Sequence, residues 1–415
     1  MEIEGNAPNK ADIPTLIKPN RTIYIDTKSQ RFYFAIILAS NSIGISSLAF
    51  PSSMAKAGLL LWILIMLIAM FISYTSSYML VYCAKQINVK SYAEITSKML
   101  GRWKCVIDLF YVFTNMGIIL ICYLTFNDFM SGILNHEYFD QKNKVVGSRE
   151  SLFWIIAPNL LLLPLLTRKS IKDIKALSVI SVFSVFLLSI FAIYVFLTKK
   201  NKLQMKQLEY FNHTQSPQAF TLLLFGFMNQ QNILDVFSEL KRKRVSTISD
   251  IVKMQSGILT FVYLTVALFI YLSFYNYPDI TKLNIFAFDL EQNALYIFIN
   301  FCVGLSIFLS SVVTFKPTKD VLMSYFHFET EYSENKANII ITVVLQVVLI
   351  LSACILVILN INFLDMINVV SMFVAPLVCI YLPLYYSYKL LGKIKYLFLL
   401  AIVMGVNIAA IWEFL

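Results

Sequence analysis

Charge is what this chain has least of: Asp, Glu, Lys and Arg make up 14% of its 415 residues, where soluble proteins carry about 25%. Hydrophobic residues reach 58% and the mean hydropathy is +0.71. So much apolar surface excludes an ordinary set of soluble domains and calls for the hydrocarbon of a bilayer. Histidine is scarce too. His136, His213 and His327 all fall in polar connecting segments, which argues against an intramembrane enzyme built on a buried histidine or a histidine-held metal. No metal-ligand cluster or paired-aspartate motif is visible, and Gly44 is followed by no G-K-[ST], so neither an enzyme nor a nucleotide-binding protein is expected. Cys83, Cys105, Cys122, Cys302, Cys354 and Cys379 lie in or beside apolar runs, so a disulfide between exposed loops is not expected.

What is present is a series of long apolar runs. About 20 apolar residues cross a bilayer as a helix that satisfies its own backbone. Eleven segments meet that length, near 32–56, 58–84, 105–134, 151–167, 176–198, 218–239, 251–275, 291–315, 338–359, 366–388 and 395–413. The expected class is therefore an all-α integral membrane protein. Residues 1–31 are polar, contain Pro8, Pro14 and Pro19, and read as a disordered tail before a polytopic body of 32–415. A cleavable signal peptide is not expected, because the tail is too polar and the first apolar run too long.

Lysine and arginine asymmetry sets the expected orientation. With the N-terminus in the cytosol, the inner segments hold 25 of these residues and the outer loops eight. The C-terminus is then outside or luminal. The net charge of +10 is spread over six inner segments, so no nucleic-acid partner is needed. Asn212-His213-Thr214 is a sequon in an outer loop, whereas Asn20-Arg21-Thr22 lies in the cytosolic tail and should stay unmodified.

Two spans are interrupted by small and amide residues. The first carries Ser40-Asn41-Ser42-Ile43-Gly44-Ile45-Ser46-Ser47, followed by Pro51, and the sixth carries Gly226-Phe227-Met228-Asn229-Gln230-Gln231-Asn232. A polar group at membrane depth costs free energy unless it has work there. Ordinary small-residue helix packing is the competing explanation, though four consecutive amides fit packing poorly. Spans one and six also open two consecutive five-span sets, 32–198 and 218–388, whose orientations are opposite, with 395–413 as an extra helix. That is the pattern of an inverted-repeat transporter binding its substrate at two broken helices. Amide N–H groups freed at a break suit a carboxylate and freed carbonyls suit an ammonium, which together describe an α-amino acid.

The run from Ser42 to Pro51, continuing to Ala57-Gly58, resembles the first-helix signature of the amino acid/auxin permease family, G-x-G-x-L-x-x-P followed by a small-Gly pair. Phe225 to Leu240 is similar to the sixth-helix motif of its sodium-coupled neutral amino acid transporter branch, F-x-F-x-x-H-x-x-(x)-L-P-x-Y-x-E-L. Gly117, Tyr123-Leu124, Asn127-Asp128 and Lys316-Pro317-Thr318-Lys319 fit the same family. The departures are Ser46 for the second glycine, Gln230 for the histidine and Asp235 for the proline. Gln230 can hydrogen-bond but cannot titrate.

The resemblance implies a leucine-transporter-like fold of five plus five inverted helices and one extra. Substrate would lie at Asn41, Ser42, Gly44, Ser46 and Ser47 of span one, with Phe225, Gly226, Phe227, Asn229 and Gln230 of span six. Tyr111 and Asn115 of span three share a face that could line the path. A sodium ion, the one possible cofactor, would sit at Ser40, Asn41, Ser310 and Ser311. Oxygen ligands of this kind suit a hard cation. The expected function is secondary active transport of a neutral amino acid, because neither interruption carries a charged side chain. Sodium is the favoured coupling ion and a proton the other. An amino acid sensor of the same fold is the alternative, and primary ATP-driven transport would need a partner chain. The expected partners are a small amino acid and the lipid bilayer, at the plasma membrane or a vacuolar or lysosomal one.

Overall fold

The computed structural model describes residues 28–134, 148–167, 175–199, 208–240, 244–276, 294–326, 330–361 and 363–414, and every regular element among them is a helix. His136, His327, Asn20 and the basic residues 241–243 lie outside the described residues. Helix α1 (Lys28–Ala57) is followed by α2 (Leu59–Gln86), the short α3 (Tyr92–Leu100) and the long α4 (Lys104–Leu134). Next come α5 (Ser148–Leu161), the single turn α6 (Leu163–Leu166) and α7 (Lys175–Thr198). The second half holds α8 (Ser216–Gly226), α9 (Gln230–Glu239), α10 (Val245–Phe274), α11 (Ala294–Met323) and α12 (Glu331–Ile358). Helix α13 (Phe363–Val369) passes through two π-helical turns into α14 (Leu382–Leu391), and α15 (Ile394–Phe414) ends the described chain.

Polarity is inverted relative to a soluble domain. Phe71, Leu351 and Trp412 present 62%, 59% and 85% of their surface outward, while Asn115, Gln230, Asn232 and Thr342 are fully buried. Hydrocarbon is the solvent such a surface requires. The centre of the bundle is α1, 83% of whose most apolar stretch is buried, against 22% for the peripheral α15.

Two expectations are corrected. The first span is not interrupted: α1 runs unbroken through Ser40–Ser47 with Pro51 inside it. Two of its hydroxyls bond their own helix instead, Ser40 donating to the Ile37 carbonyl and Ser47 to that of Gly44, each at 2.8 Å. Back-bonding of this kind satisfies a serine in an apolar helix without opening it. Nine helices among the described residues are long and apolar enough to cross a membrane. The expected fourth span is divided into α5 and α6 at Leu162, where Pro164 takes an early position in α6, and the sixth is divided into α8 and α9. The second correction is that the expected tail overlaps α1 by four residues, since α1 begins at Lys28. Helix α11 continues through Pro317 to Met323, so Lys316 and Lys319 extend from its end as part of the helix.

The α1–α2 junction needs Gly58. Its φ of +82° is a left-handed conformation, and a Cβ there would lie 2.7 Å from the Phe211 nitrogen and the Tyr210 carbonyl carbon. That close approach lets the Glu209 and Tyr210 carbonyls accept from the N–H groups of Leu59 and Leu60, at 2.9 and 3.1 Å, capping the start of α2.

Candidate functional site

The break between α8 and α9 occupies Phe227, Met228 and Asn229, all buried. A helix that stops leaves carbonyls without amide partners, and here hydroxyls from three neighbouring helices supply them. Ser73 of α2 donates to the Phe227 carbonyl and Ser42 of α1 to that of Met228, each at 2.7 Å. Tyr263 of α10 places its hydroxyl 2.7 Å from the Gly226 carbonyl and 2.8 Å from that of Ser42. One phenolic proton serves one acceptor at a time, so Tyr263 bridges α1 to the end of α8. The expectation that these carbonyls stand free for an ammonium is therefore not met in this conformation.

Asn229 turns away from α1. Its amide donates to the Gln255 carbonyl oxygen on α10, and its own oxygen accepts from Ser77 of α2 at 2.7 Å. Gln230 folds back similarly, accepting from the Asn229 N–H at 2.9 Å while its amide points to Ser73 at 3.4 Å. Both residues pin the break to its surroundings.

Between α1 and the break lies a narrow cavity, in this conformation with room for about one water molecule. One wall is Asn41, Ser42, Ile45 and Ser46 of α1; the others are Ile118 of α4, Phe225 and Met228, and Gln231 of α9. Four expected residues, Asn41, Ser42, Ser46 and Phe225, therefore line this cavity. Gly44 does not face it but marks the close approach of α1 to α11, where an added Cβ would meet the Ile307 side chain at 2.8 Å. A Cβ on Gly226 would run into the ring of Phe50. Ser47 is held on its own helix, and Phe227 packs edge-on to Tyr263 with centroids 5.5 Å apart. Tyr111 donates to the backbone carbonyl of Gln231 at 2.9 Å, and Asn115 is buried one turn further along α4.

Sequence reasoning missed Gln231 as a wall residue, although the amide run contained it. It also missed Tyr263, Ser73, Ser77 and Gln255, whose signal was available as polar side chains inside apolar spans. Ile45, Ile118 and Met228 gave no signal at all.

The expected sodium ligands are only partly brought together. Asn41 meets α11 through Thr314, whose hydroxyl lies 2.5 Å from the Asn41 oxygen. Ser310, one turn earlier, lies 3.6 Å from Cys122 of α4 and donates to Ile307, and Ser311 donates to Phe308. Asn41 and Thr314 thus place two uncharged oxygens side by side, the kind of ligand a hard monovalent cation takes. At the other end of α9, Asp235 pairs with Lys316 of α11 at 3.4 Å, and Lys316 also reaches Asp320 at 2.6 Å. Arg31 and Asp250 join α1 to α10 at 2.7 Å. Tyr325 donates to Asp108 at 2.7 Å, and desolvation followed by that carboxylate pushes its phenol well above the usual range.

The sequence profile of the family described as transmembrane amino acid transporter protein matches residues 27–411. Vacuolar amino acid transporter 7 of Saccharomyces cerevisiae (strain ATCC 204508 / S288c) is 25% identical over 294 residues, 68% of this chain and 56% of its own length. A relative from Plasmodium berghei (strain Anka) is 25% identical over 296 residues, 70% of this chain and 46% of its own. The chain thus spans about half the length of the curated relatives it matches. Among solved structures, MhsT in complex with L-phenylalanine aligns with a TM-score of 0.62 at 14% identity, covering 92% of this chain and 98% of that one. A sodium-coupled sialic acid symporter, substrate-bound and outward-open, aligns at 0.57 and 11% identity, covering 92% and 87%. These likenesses establish the fold.

Proposed function

Because the chain belongs to the transmembrane amino acid transporter protein family, we propose that it is a secondary active transporter carrying neutral amino acids by alternating access, and not an enzyme. One observation carries this reading: the helix broken at Phe227–Asn229 faces the central α1 across a cavity whose wall includes no charged side chain. A charged substrate side chain would lose its water there with no partner to offset the cost. An uncharged one would meet Ile45, Ile118, Phe225 and Met228.

The nine long helices, with the α5–α6 and α8–α9 pairs, supply eleven crossings in this reading. They form two inverted five-span repeats and a final α15. The tail is cytosolic, following the charge asymmetry of 25 to eight. Sodium is the proposed coupling ion, since the oxygens where Asn41 meets Thr314 need no titration. The ion would offset the field of those dipoles and favour the closed contact of α1 with α11.

Uptake of labelled amino acids into proteoliposomes, with sodium and pH gradients imposed separately, tests the reading. Leucine, phenylalanine or glutamine should accumulate with an inward sodium gradient. Uptake that persists when choline replaces sodium and collapses with a proton ionophore would refute sodium coupling. No accumulation of any amino acid under either gradient would refute transport.

A further inference from the structure

We propose that the carboxamide of Gln231 holds the charged head of the substrate, its NH2 donating to the α-carboxylate and its oxygen accepting from the α-ammonium. The inference rests on the amino acid reading above and departs from backbone-only recognition of the head. The carbonyls of Gly226, Phe227 and Met228 are already taken by Tyr263, Ser73 and Ser42. Helix α1 is unbroken, so it frees no backbone groups beyond the Ser47 carbonyl, which Pro51 leaves without a ladder amide.

Of the four amides at the break, Gln231 and Asn232 are buried with both side-chain polar atoms lacking a hydrogen-bond partner, and of these two only Gln231, 2% exposed, stands on the cavity wall. A buried amide left unpaired costs free energy, and a native site that keeps one calls for a reason. The carboxamide offers donor and acceptor side by side, which matches a carboxylate and an ammonium on one carbon. An arginine would serve only the first and an aspartate only the second. Position adds to this. Gln231 is the second residue of α9, whose N-cap Asn229 makes no side-chain capping bond, so the positive end of the helix dipole favours the carboxylate there. The Tyr111 hydroxyl, 2.9 Å from the Gln231 carbonyl, fixes the backbone from which the amide projects.

The test uses the full chain in nanodiscs, with affinities read for leucine, phenylalanine and glutamine, and for 3-methylbutylamine, the analogue of leucine without its carboxylate. Gln231→Leu should weaken all three amino acids by about tenfold to a hundredfold, as expected for two lost bonds to charged groups, with their rank order kept. Gln231→Glu should weaken leucine about as much, because a second carboxylate faces its own, while 3-methylbutylamine binds at least as well as to wild type. Gln231→Asn keeps the amide and serves as the folding control; if the Leu variant does not fold, the Glu variant decides alone. Unchanged affinities in the variants, or a loss confined to one of the three amino acids, would overturn the proposal. Failure of wild type to bind any amino acid would instead overturn the transport reading beneath it.

Discussion

Replacing Tyr263 by Phe isolates one hydroxyl at the centre of the molecule. The ring itself should stay, because it is held edge-on by Phe50 at 4.5 Å and by Phe227 at 5.5 Å, and phenylalanine preserves both contacts. The hydroxyl oxygen stands between two carbonyls, but they lose unequally. Ser42 lies within the continuous α1, so its carbonyl keeps the helical ladder. Gly226 closes α8, where the ladder stops, so its carbonyl is left bare. The cost is therefore that of one orphaned buried carbonyl, about 1–3 kcal/mol, and not of two. Interhelical hydrogen bonds in membrane proteins average only about 0.6 kcal/mol because the unfolded chain in lipid also finds partners, so about 1–2 kcal/mol is the expected loss. Reversible unfolding in mixed micelles, followed by tryptophan fluorescence, measures it. The paired variant Ser42→Ala removes the neighbouring bond to Met228, and the double variant should show coupling, since Tyr263 also contacts Ser42 and both bonds end on the break. A Tyr263→Phe protein within about 0.3 kcal/mol of wild type would refute the reading, because an orphaned carbonyl cannot be that cheap without water reaching it.

Gly226→Ala should destabilise by about 1–3 kcal/mol through overpacking, since Phe50, which the new methyl would strike, is hemmed in by Trp62 and Tyr263; the same unfolding measurement reads it. Gly257→Ala is its control: nothing lies within 4 Å of that Cβ, and the change should stabilise α10 by about 0.5–1 kcal/mol. Asp250→Asn should alter stability by less than about 1 kcal/mol, because its pair with Arg31 is 43% exposed on the acid side and 30% on the base; a larger loss in thermal unfolding would show the pair to be a structural lock. Single cysteines at positions 212 and 244 should label from opposite sides of intact cells, 212 from outside or the lumen, and labelling of 244 from outside would reverse the orientation.

The apolar runs made the spanning helices legible, because a helix in hydrocarbon must be apolar for about 20 residues whatever it packs against. The sixth-helix break was legible as well: Gly226 and the amides after it are poor material for an apolar helix, and α8 does end at Gly226. The same cue misled in α1. Its serines look like an interruption, yet Ser40 and Ser47 find backbone acceptors three residues back on their own helix and Ser42 finds one across at Met228, choices that composition does not reveal. The run of amides from Asn229 to Asn232 likewise could not be resolved residue by residue. Which of them turns toward the cavity depends on what α2 and α10 present: Ser77 and Gln255 draw Asn229 aside and Ser73 draws Gln230, leaving Gln231 on the wall.

The sequence by itself determined the solvent, the class of fold and the helix that breaks, since these follow from local cost: what each segment must pay to sit in lipid or to stay helical. Only the tertiary structure decided where each polar atom finds its partner. Hydrogen bonds between residues far apart in sequence, such as Tyr263 to Gly226 or Tyr111 to Gln231, depend on which helix faces which, and that is set by packing of the whole bundle.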